Sequence, residues 1–297
     1  TTGQRLDNYL IARLKGVPRS RVYRIIRKGE VRVNKKRAQA QYKLQAGDMV
    51  RVPPVRTSAG NAPTPVSVGL AAALAQAILY EDEGLLVLDK PAGLAVHGGS
   101  GLNQGLIEAL RQTRGEPRLE LVHRLDRETS GCLLVAKKRS ALRQLHGDLR
   151  EGRVGKIYTA LAVGRWPKRF GDVRAPLLKN QLQSGERMVV VSREGKAAHT
   201  CFKCLHQYGE GALMEASPIT GRTHQIRVHA RFVGCPLAGD SKYGTDEANK
   251  AFKALGLQRL FLHASRLVFE PPGGRGSIEV QAPLPHELEK FLEKLCN

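Results

Sequence analysis

The stretch His123-Arg124-Leu125-Asp126-Arg127-Glu128-Thr129-Ser130-Gly131 places one carboxylate, Asp126, with arginines two positions before it and one after. An apolar run, Leu119 to Val122, precedes it and a strand-like run, Cys132 to Ala136, follows. A compact polar turn is thus held between two buried-looking flanks and can aim a side chain. Where solvent is partly excluded, the neighbouring cations favour a carboxylate, the form that attacks or takes up a proton. The same residues also suit a surface turn in which Asp126 accepts backbone amides and Thr129-Ser130-Gly131 is ordinary turn chemistry. A second set lies on a helix read over 222–232 and entered through Pro218-Ile219-Thr220-Gly221. Arg227 follows His224 by three positions and so shares its face, with Arg231 continuing it; that face either projects a cation into a cleft or is a basic surface.

Two other constellations fail on spacing. His199-Thr200-Cys201-Phe202-Lys203-Cys204-Leu205-His206 invites a zinc reading, but its composition is that of a strand, where positions three apart face opposite ways, and no second CxxC exists to complete a site. No metal is expected. His97-Gly98-Gly99-Ser100-Gly101 has the glycines of an oxyanion-hole segment, yet Leu102 stands where a nucleophile elbow needs glycine. A glycine loop that lets a substrate backbone approach is the better reading.

The elements that must position Asp126 are legible from periodicity. Leu85 to Asp89 is a buried strand, Ser140 to Gly152 a helix capped by Ser140 with Leu142, Leu145 and Leu149 on one face, and Lys156 to Val163 an alternating strand carrying Tyr158. Met188 to Val191 is a short apolar run, and Thr200–Tyr208 with Ala212–Ala216 reads as a hairpin around Gly209 and Gly211. Leu260 to Phe269 is a strand and Leu284 to Leu295 a final helix. Neighbouring strands with a few helices predict an α+β fold with a mainly antiparallel mixed sheet, flanking helices and a central cleft.

With 297 residues and 41% hydrophobic composition the chain can bury a sizeable core, while a net charge of +21 points to a polyanionic partner, nucleic acid foremost. The charge is concentrated. Residues 1–56 hold 15 lysines and arginines against Asp7, Glu30 and Asp48, a net +12. Leu6, Leu10 and Leu14 predict one helix there; Pro18 opens a second, with Val22, Ile25 and Ile26 on its apolar side and Gly29 at its stop. Arg21, Arg24 and Lys28 form a stripe on the other face, and Lys35 and Lys36 extend it, a spacing suited to successive phosphates. Val31–Val33 and Met49–Val52 alternate like short strands. Residues 57–79 carry no charge and are punctuated by Gly60, Pro63, Pro65 and Gly69, which predicts a linker between a domain over 1–56 and another over 80–297. The five cysteines lack the density of a disulfide framework, no apolar run is long enough to span a bilayer, and no signal-peptide core precedes the Arg-rich helix. The cytoplasm is the expected compartment. No Rossmann or Walker loop is present, so no nucleotide cofactor is expected.

Taken together, these motifs resemble those of the RluA-type pseudouridine synthases. His123 to Gly131 resembles the family's active-site motif, Lys90-Pro91-Ala92-Gly93-Leu94-Ala95-Val96-His97 its first motif, Lys156 to Ala160 its Tyr motif and Gly221 to His229 its Arg motif. Gly239-Asp240-Ser241-Lys242-Tyr243-Gly244 and Leu262-His263-Ala264 fit later elements, and residues 1–56 resemble a small α/β S4 RNA-binding domain. The resemblance implies the pseudouridine synthase fold, large-subunit ribosomal RNA as partner with more than one target uridine, no cofactor, and a monomeric enzyme. It makes Asp126 the nucleophile, Tyr158 the ring that stacks on uracil and takes its proton, Arg227 the partner of Asp126, and Arg124 the residue that fills the gap left by a flipped-out base. The competing class is a catalytically silent RNA-binding or ribosome-assembly protein on the same scaffold, which would keep the charge and lose the Asp.

Overall fold

The computed structural model of the chain describes every residue except 1, 15, 56–64, 99–103, 182–186, 275 and 297, and divides into two units, Thr1–Pro65 and Val66–Asn297. In the first, helices α1 (Leu6–Arg13) and α2 (Arg19–Arg27) pack beside a three-stranded antiparallel sheet of β1 (Arg32–Val33), β2 (Lys36–Arg37) and β3 (Val50–Arg51). Leu6, Leu10, Val22, Ile25 and Ile26 form the core of this unit, as the four-residue leucine repeat predicts. Each fully buried leucine or isoleucine here contributes roughly 1.5–3 kcal/mol. Asn34 and Lys35 both take positive φ in the two-residue turn between β1 and β2.

The second unit begins earlier than the composition suggests. Val68–Gln76 is a helix, α3, whose N-terminus is capped by the Ser67 hydroxyl and whose Leu74 is buried in the main core. The linker read over 57–79 is therefore corrected over Val68–Gln76, where absence of charge reflects an apolar packed helix, while its residues 57–64 lie outside the described residues. Next come β4 (Ile78–Glu81), β5 (Leu85–Lys90), α4 (Leu106–Arg114), β6 (Glu120–Leu121), β7 (Ser130–Ala136), α5 (Arg139–Arg150) and β8 (Gly155–Val163). The rest comprises β9 (Asp172–Arg174), the hairpin β10 (Leu177–Gln181) and β11 (Arg187–Val191), β12 (His199–Gln207), β13 (Gly211–Pro218), α6 (Gln225–Val233), α7 (Asp246–Ala254), β14 (Leu262–Phe269), β15 (Ile278–Gln281) and α8 (His286–Cys296).

Ten strands make one sheet in the order β4-β5-β7-β14-β8-β13-β12-β9, with β15 added on β14 and β6 on β7. Among the described residues every strand pairing is antiparallel except β7 with β14. Alternate residues of the central strands enter two different cores: Leu133 and Val135 one, Cys132, Leu134 and Ala136 the other. Helices α4 and α6 bury apolar residues in the first core, and α5 buries Ala141 and Leu145 in the second. A sheet covered on both sides explains why Leu85 to Leu88 is apolar throughout rather than alternating. Ser140 is not the cap of α5; its N-cap is Lys138, without a side-chain cap. Among the described residues no helix is long and apolar enough to cross a membrane.

Candidate active site

The turn holding Asp126 ends where β7 begins, and the start of β7 is fixed by the single parallel pairing, which sets Ser130 opposite His263 and Gly131 opposite Ala264. Gly131 adopts φ +105°, and a Cβ there would run into the backbone of Ala264, so only glycine lets the strands approach. Ser130 Oγ accepts from Arg259 Nη2 at 3.0 Å and donates to His263 Nδ1 at 2.9 Å, leaving the Nε2 proton for the carbonyl of Ala282 at 3.2 Å. The Ser and Gly of the motif are therefore framework. From the other side, buried Lys90 donates to the carbonyls of Pro91, Leu94 and Arg127, and Gly93 N–H donates to Arg127 O at 2.8 Å. The loop after β5 thereby clamps the Asp126 turn, and burial pulls the Lys90 ammonium down to about 8. His123 Nε2 accepts the Leu134 N–H at 3.1 Å, consistent with burial lowering this imidazole to about 4.

What the turn presents is the Asp126 carboxylate. Among the described residues it accepts no backbone amide; the turn's own bond runs from Thr129 N–H to the Asp126 carbonyl at 3.2 Å. Its side chain, 18% exposed, instead faces Arg227 Nη1 at 3.6 Å and His224 Nε2 at 3.8 Å. The capped-turn alternative thus loses the hydrogen bonds it requires.

Sequence reading assigned Arg227 to Asp126, and the structure shows a different first partner. Arg227 Nε and Nη2 donate to the two oxygens of buried Asp240, each at 2.7 Å, and the guanidinium lies over the Tyr243 ring. Asp240 also accepts the N–H groups of Lys242 and Tyr243, each at 2.9 Å. Burial opposes its charge, but the Arg227 hydrogen bonds outweigh it and hold the carboxyl below the usual range. Asp240 therefore anchors the guanidinium while Nη1 remains turned to Asp126. This pairing spans 13 residues and lacks a periodic signal; the sequence marks it only through the Gly239–Gly244 motif.

His224, placed by its spacing on the face of Arg227 without a role of its own, also enters the site. The helix read over 222–232 starts later, at Gln225, because the Gln225 side chain accepts from Arg222 N–H and the Thr220 hydroxyl and donates to His199 O and Thr200 Oγ1. These bonds draw residues 220–224 into a turn and leave His224 in the left-handed region at φ 53°. Tyr243 Oη accepts from Val189 N–H at 3.1 Å and lies 2.7 Å from His224 Nδ1; with the hydroxyl donating to Nδ1, the imidazole proton sits on Nε2, facing Asp126. Burial keeps this ring below its ordinary value despite the Asp126 charge.

Tyr158 lies on β8 where three steps along β14, His263 to Arg266, match two along β8, Thr159 to Ile157. Such a bulge re-aims a side chain. Burial, with the charge of Asp126 adding to it, pushes the phenol well above its ordinary value. Asp126, Tyr158, Arg227, His224, Lys156 and exposed Arg124 line one cavity of about 310 Å³. Burial lowers the Lys156 ammonium. In the first unit, Arg21, Arg24, Lys28, Lys35 and Lys36 are all exposed. Cys201 is half-buried and Cys204 exposed on β12. Cys201 instead falls within 4.8 Å of donor atoms of His199 and Asp172, but Arg174 occupies that carboxylate as well. The loop 97–101 lies partly outside the described residues.

The family description that matches residues 84–232 is RNA pseudouridylate synthase, and an S4 domain matches residues 4–50. This chain belongs to the RNA pseudouridylate synthase family. It is 55% identical over 296 residues to ribosomal large subunit pseudouridine synthase C of Haemophilus influenzae, covering 99% of this chain and 92% of that one. To the protein of the same name from Escherichia coli it is 56% identical, covering 99% and 94%. The solved structure of human RNA pseudouridylate synthase domain containing 4 superposes with a TM-score of 0.61 at 31% identity, covering 77% of this chain and 96% of that one. The enzyme is thus an RNA pseudouridine synthase, an isomerase built on the α+β fold described above.

Proposed function

We propose that this enzyme isomerises uridines of large-subunit ribosomal RNA, at more than one position, with Asp126 as nucleophile acting on a flipped-out base. The substrate follows from the names of the two bacterial relatives, which match over nearly their whole length. The mechanism rests on one observation: among the described residues the Asp126 carboxylate accepts no backbone amide, and it lines a cavity of about 310 Å³. A stacked base hides its glycosidic bond, so the target must leave its stack for the carboxylate in that cavity to reach it. The reaction breaks the bond from ring nitrogen to sugar, re-forms it at carbon 5, and moves one proton from that carbon to the nitrogen. Atoms balance without redox or an energy donor.

Arg227, held by Asp240, keeps a cation 3.6 Å from Asp126 as water leaves. Tyr158 stacks on the uracil. Burial, with the Asp126 charge adding to it, keeps the phenol protonated, so Tyr158 takes the carbon-5 proton as a relay that passes its own hydroxyl proton on to the ring nitrogen. Arg124, exposed at the rim, fills the gap left by the flipped base. Arg21, Arg24, Lys28, Lys35 and Lys36 contact phosphates. The test is Asp126→Asn, which keeps shape and removes the nucleophilic oxygen. RNA binding and the melting curve should stay close to wild type while tritium release from RNA labelled at carbon 5 of uracil vanishes. Residual release above roughly one hundredth of the wild-type rate would tell against covalent catalysis by this residue.

A further inference from the structure

Several cations of the second unit are engaged by carboxylates. Lys137 pairs with Glu81, Lys138 with Glu83, Arg114 with Glu81 and Glu116, Arg174 with Asp172, and Arg266 with Glu215 and Glu279. Helix α5 is different. Arg139, Arg143, His146 and Arg150 follow one another at spacings of four, three and four, which places them on a single stripe of a 3.6-residue helix. The three arginines are exposed, none has an acidic partner among the described residues, and the stripe is turned away from the face that buries Ala141 and Leu145. Cations gathered this closely without counter-charges repel one another, and a ligand polyanion relieves that repulsion.

The helix that carries the stripe reaches two cavities. At the first turn of α5, Arg139 and Arg143 line an open groove of about 1060 Å³ together with Arg118, Lys137, Lys138 and His146. The carboxylate in its lining, Glu120, is already held by Arg111 at 3.3 Å. At the last turn, Leu149, next to Arg150, lines the cavity that holds Asp126. From Arg139 to Arg150 the helix rises roughly 16 Å, enough to meet more than one phosphate.

We infer that the RNA strand flanking the target uridine leaves the catalytic cavity along the Arg139-Arg143-His146-Arg150 stripe of α5 and enters the groove at its N-terminal end. This inference rests on the proposed function, since it takes the polyanion to be the strand whose uridine occupies the cavity. Three arginine–phosphate contacts release counterions, so they should appear in the salt dependence of binding.

The experiment compares the full chain with two triple variants, using a large-subunit ribosomal RNA fragment. One variant is Arg139→Gln, Arg143→Gln, Arg150→Gln; the other removes the same charge from paired sites, Arg114→Gln, Arg174→Gln, Arg266→Gln. Melting curves establish that both fold. The slope of log affinity against log salt should become shallower by about 2 for the stripe variant and stay near wild type for the control. An unchanged slope in the stripe variant, or an equal change in both, overturns the strand path. Pseudouridine is mapped in the same RNA with the wild-type chain. If none forms but the slopes still differ, the proposed reaction fails and the stripe stands as an RNA surface; if pseudouridine forms and the slopes agree, only the strand path fails.

Discussion

At the residue scale, the site is an arrangement of charges in which each member is held by a second group. Asp126 faces Arg227 and His224; Arg227 is held by Asp240, and His224 by Tyr243. Asp240 deserves a variant of its own because it touches nothing that reacts. Asp240→Asn removes the charge that fixes the guanidinium and leaves a buried arginine without its counter-ion, a change that typically costs about 3–5 kcal/mol. Turnover should fall by about a hundredfold with little change in RNA affinity, because the cation turned to Asp126 is then free to reorient. Steady-state kinetics beside a binding isotherm check this; an affinity loss as large as the loss of kcat would assign Asp240 to binding rather than to positioning.

At the element scale, the parallel join of β7 to β14 decides where Asp126 stands. Gly131→Ala should destabilise the protein by about 3 kcal/mol or more, since the added Cβ meets the Ala264 backbone and the residue holds φ +105°. Denaturant melts of the variant measure the loss; a stability within 1 kcal/mol of wild type would show that the strands can part. The same join carries a pH dependence. His263 is fully buried and its imidazole sits at about 4, against 6.5 for an ordinary histidine. The unfolded chain therefore binds the proton that the folded one refuses, so stability is present above pH 6.5 and is lost as pH falls towards 4, by of order 3 kcal/mol. His263→Gln should make the fall in melting temperature over that window shallower. An identical fall in the variant would place the acid sensitivity elsewhere, with His123, which is also lowered to about 4, as the next group to test.

At the scale of the whole molecule, cationic surface is present in both units, and the first carries +12 of the total +21. Removing residues 1–65 takes away Arg21, Arg24, Lys28, Lys35 and Lys36 and should make the salt slope of RNA binding shallower by up to about 3.5, at 0.7 for each phosphate contact on a single strand. The second unit has its own cores and should keep a cooperative melt. A slope unchanged by the deletion would mean that the first unit touches no phosphate.

The sequence by itself determined the local elements, because apolar periodicity and glycine positions report directly on burial and turns. Leu6 and Leu10, the strand from Leu85, the alternating strand with Tyr158 and the face of Leu142, Leu145 and Leu149 all stand where their spacing puts them. It also marked Asp126, Tyr158 and Arg227 through motifs, and the structure brings these three to one cavity. Which groups hold them was not legible. Asp240 reaches Arg227 across 13 residues, His263 meets Ser130 across 133, and Tyr243 orients His224 from a loop beyond α6. Such contacts follow from strand order and loop path, which no local pattern encodes. The stripe on α5 stands between the two cases: its spacing is written in the sequence, but that its arginines have no acidic partner among the described residues, and that the helix reaches both a groove and the catalytic cavity, only the tertiary structure decided, because both depend on what the rest of the chain brings alongside.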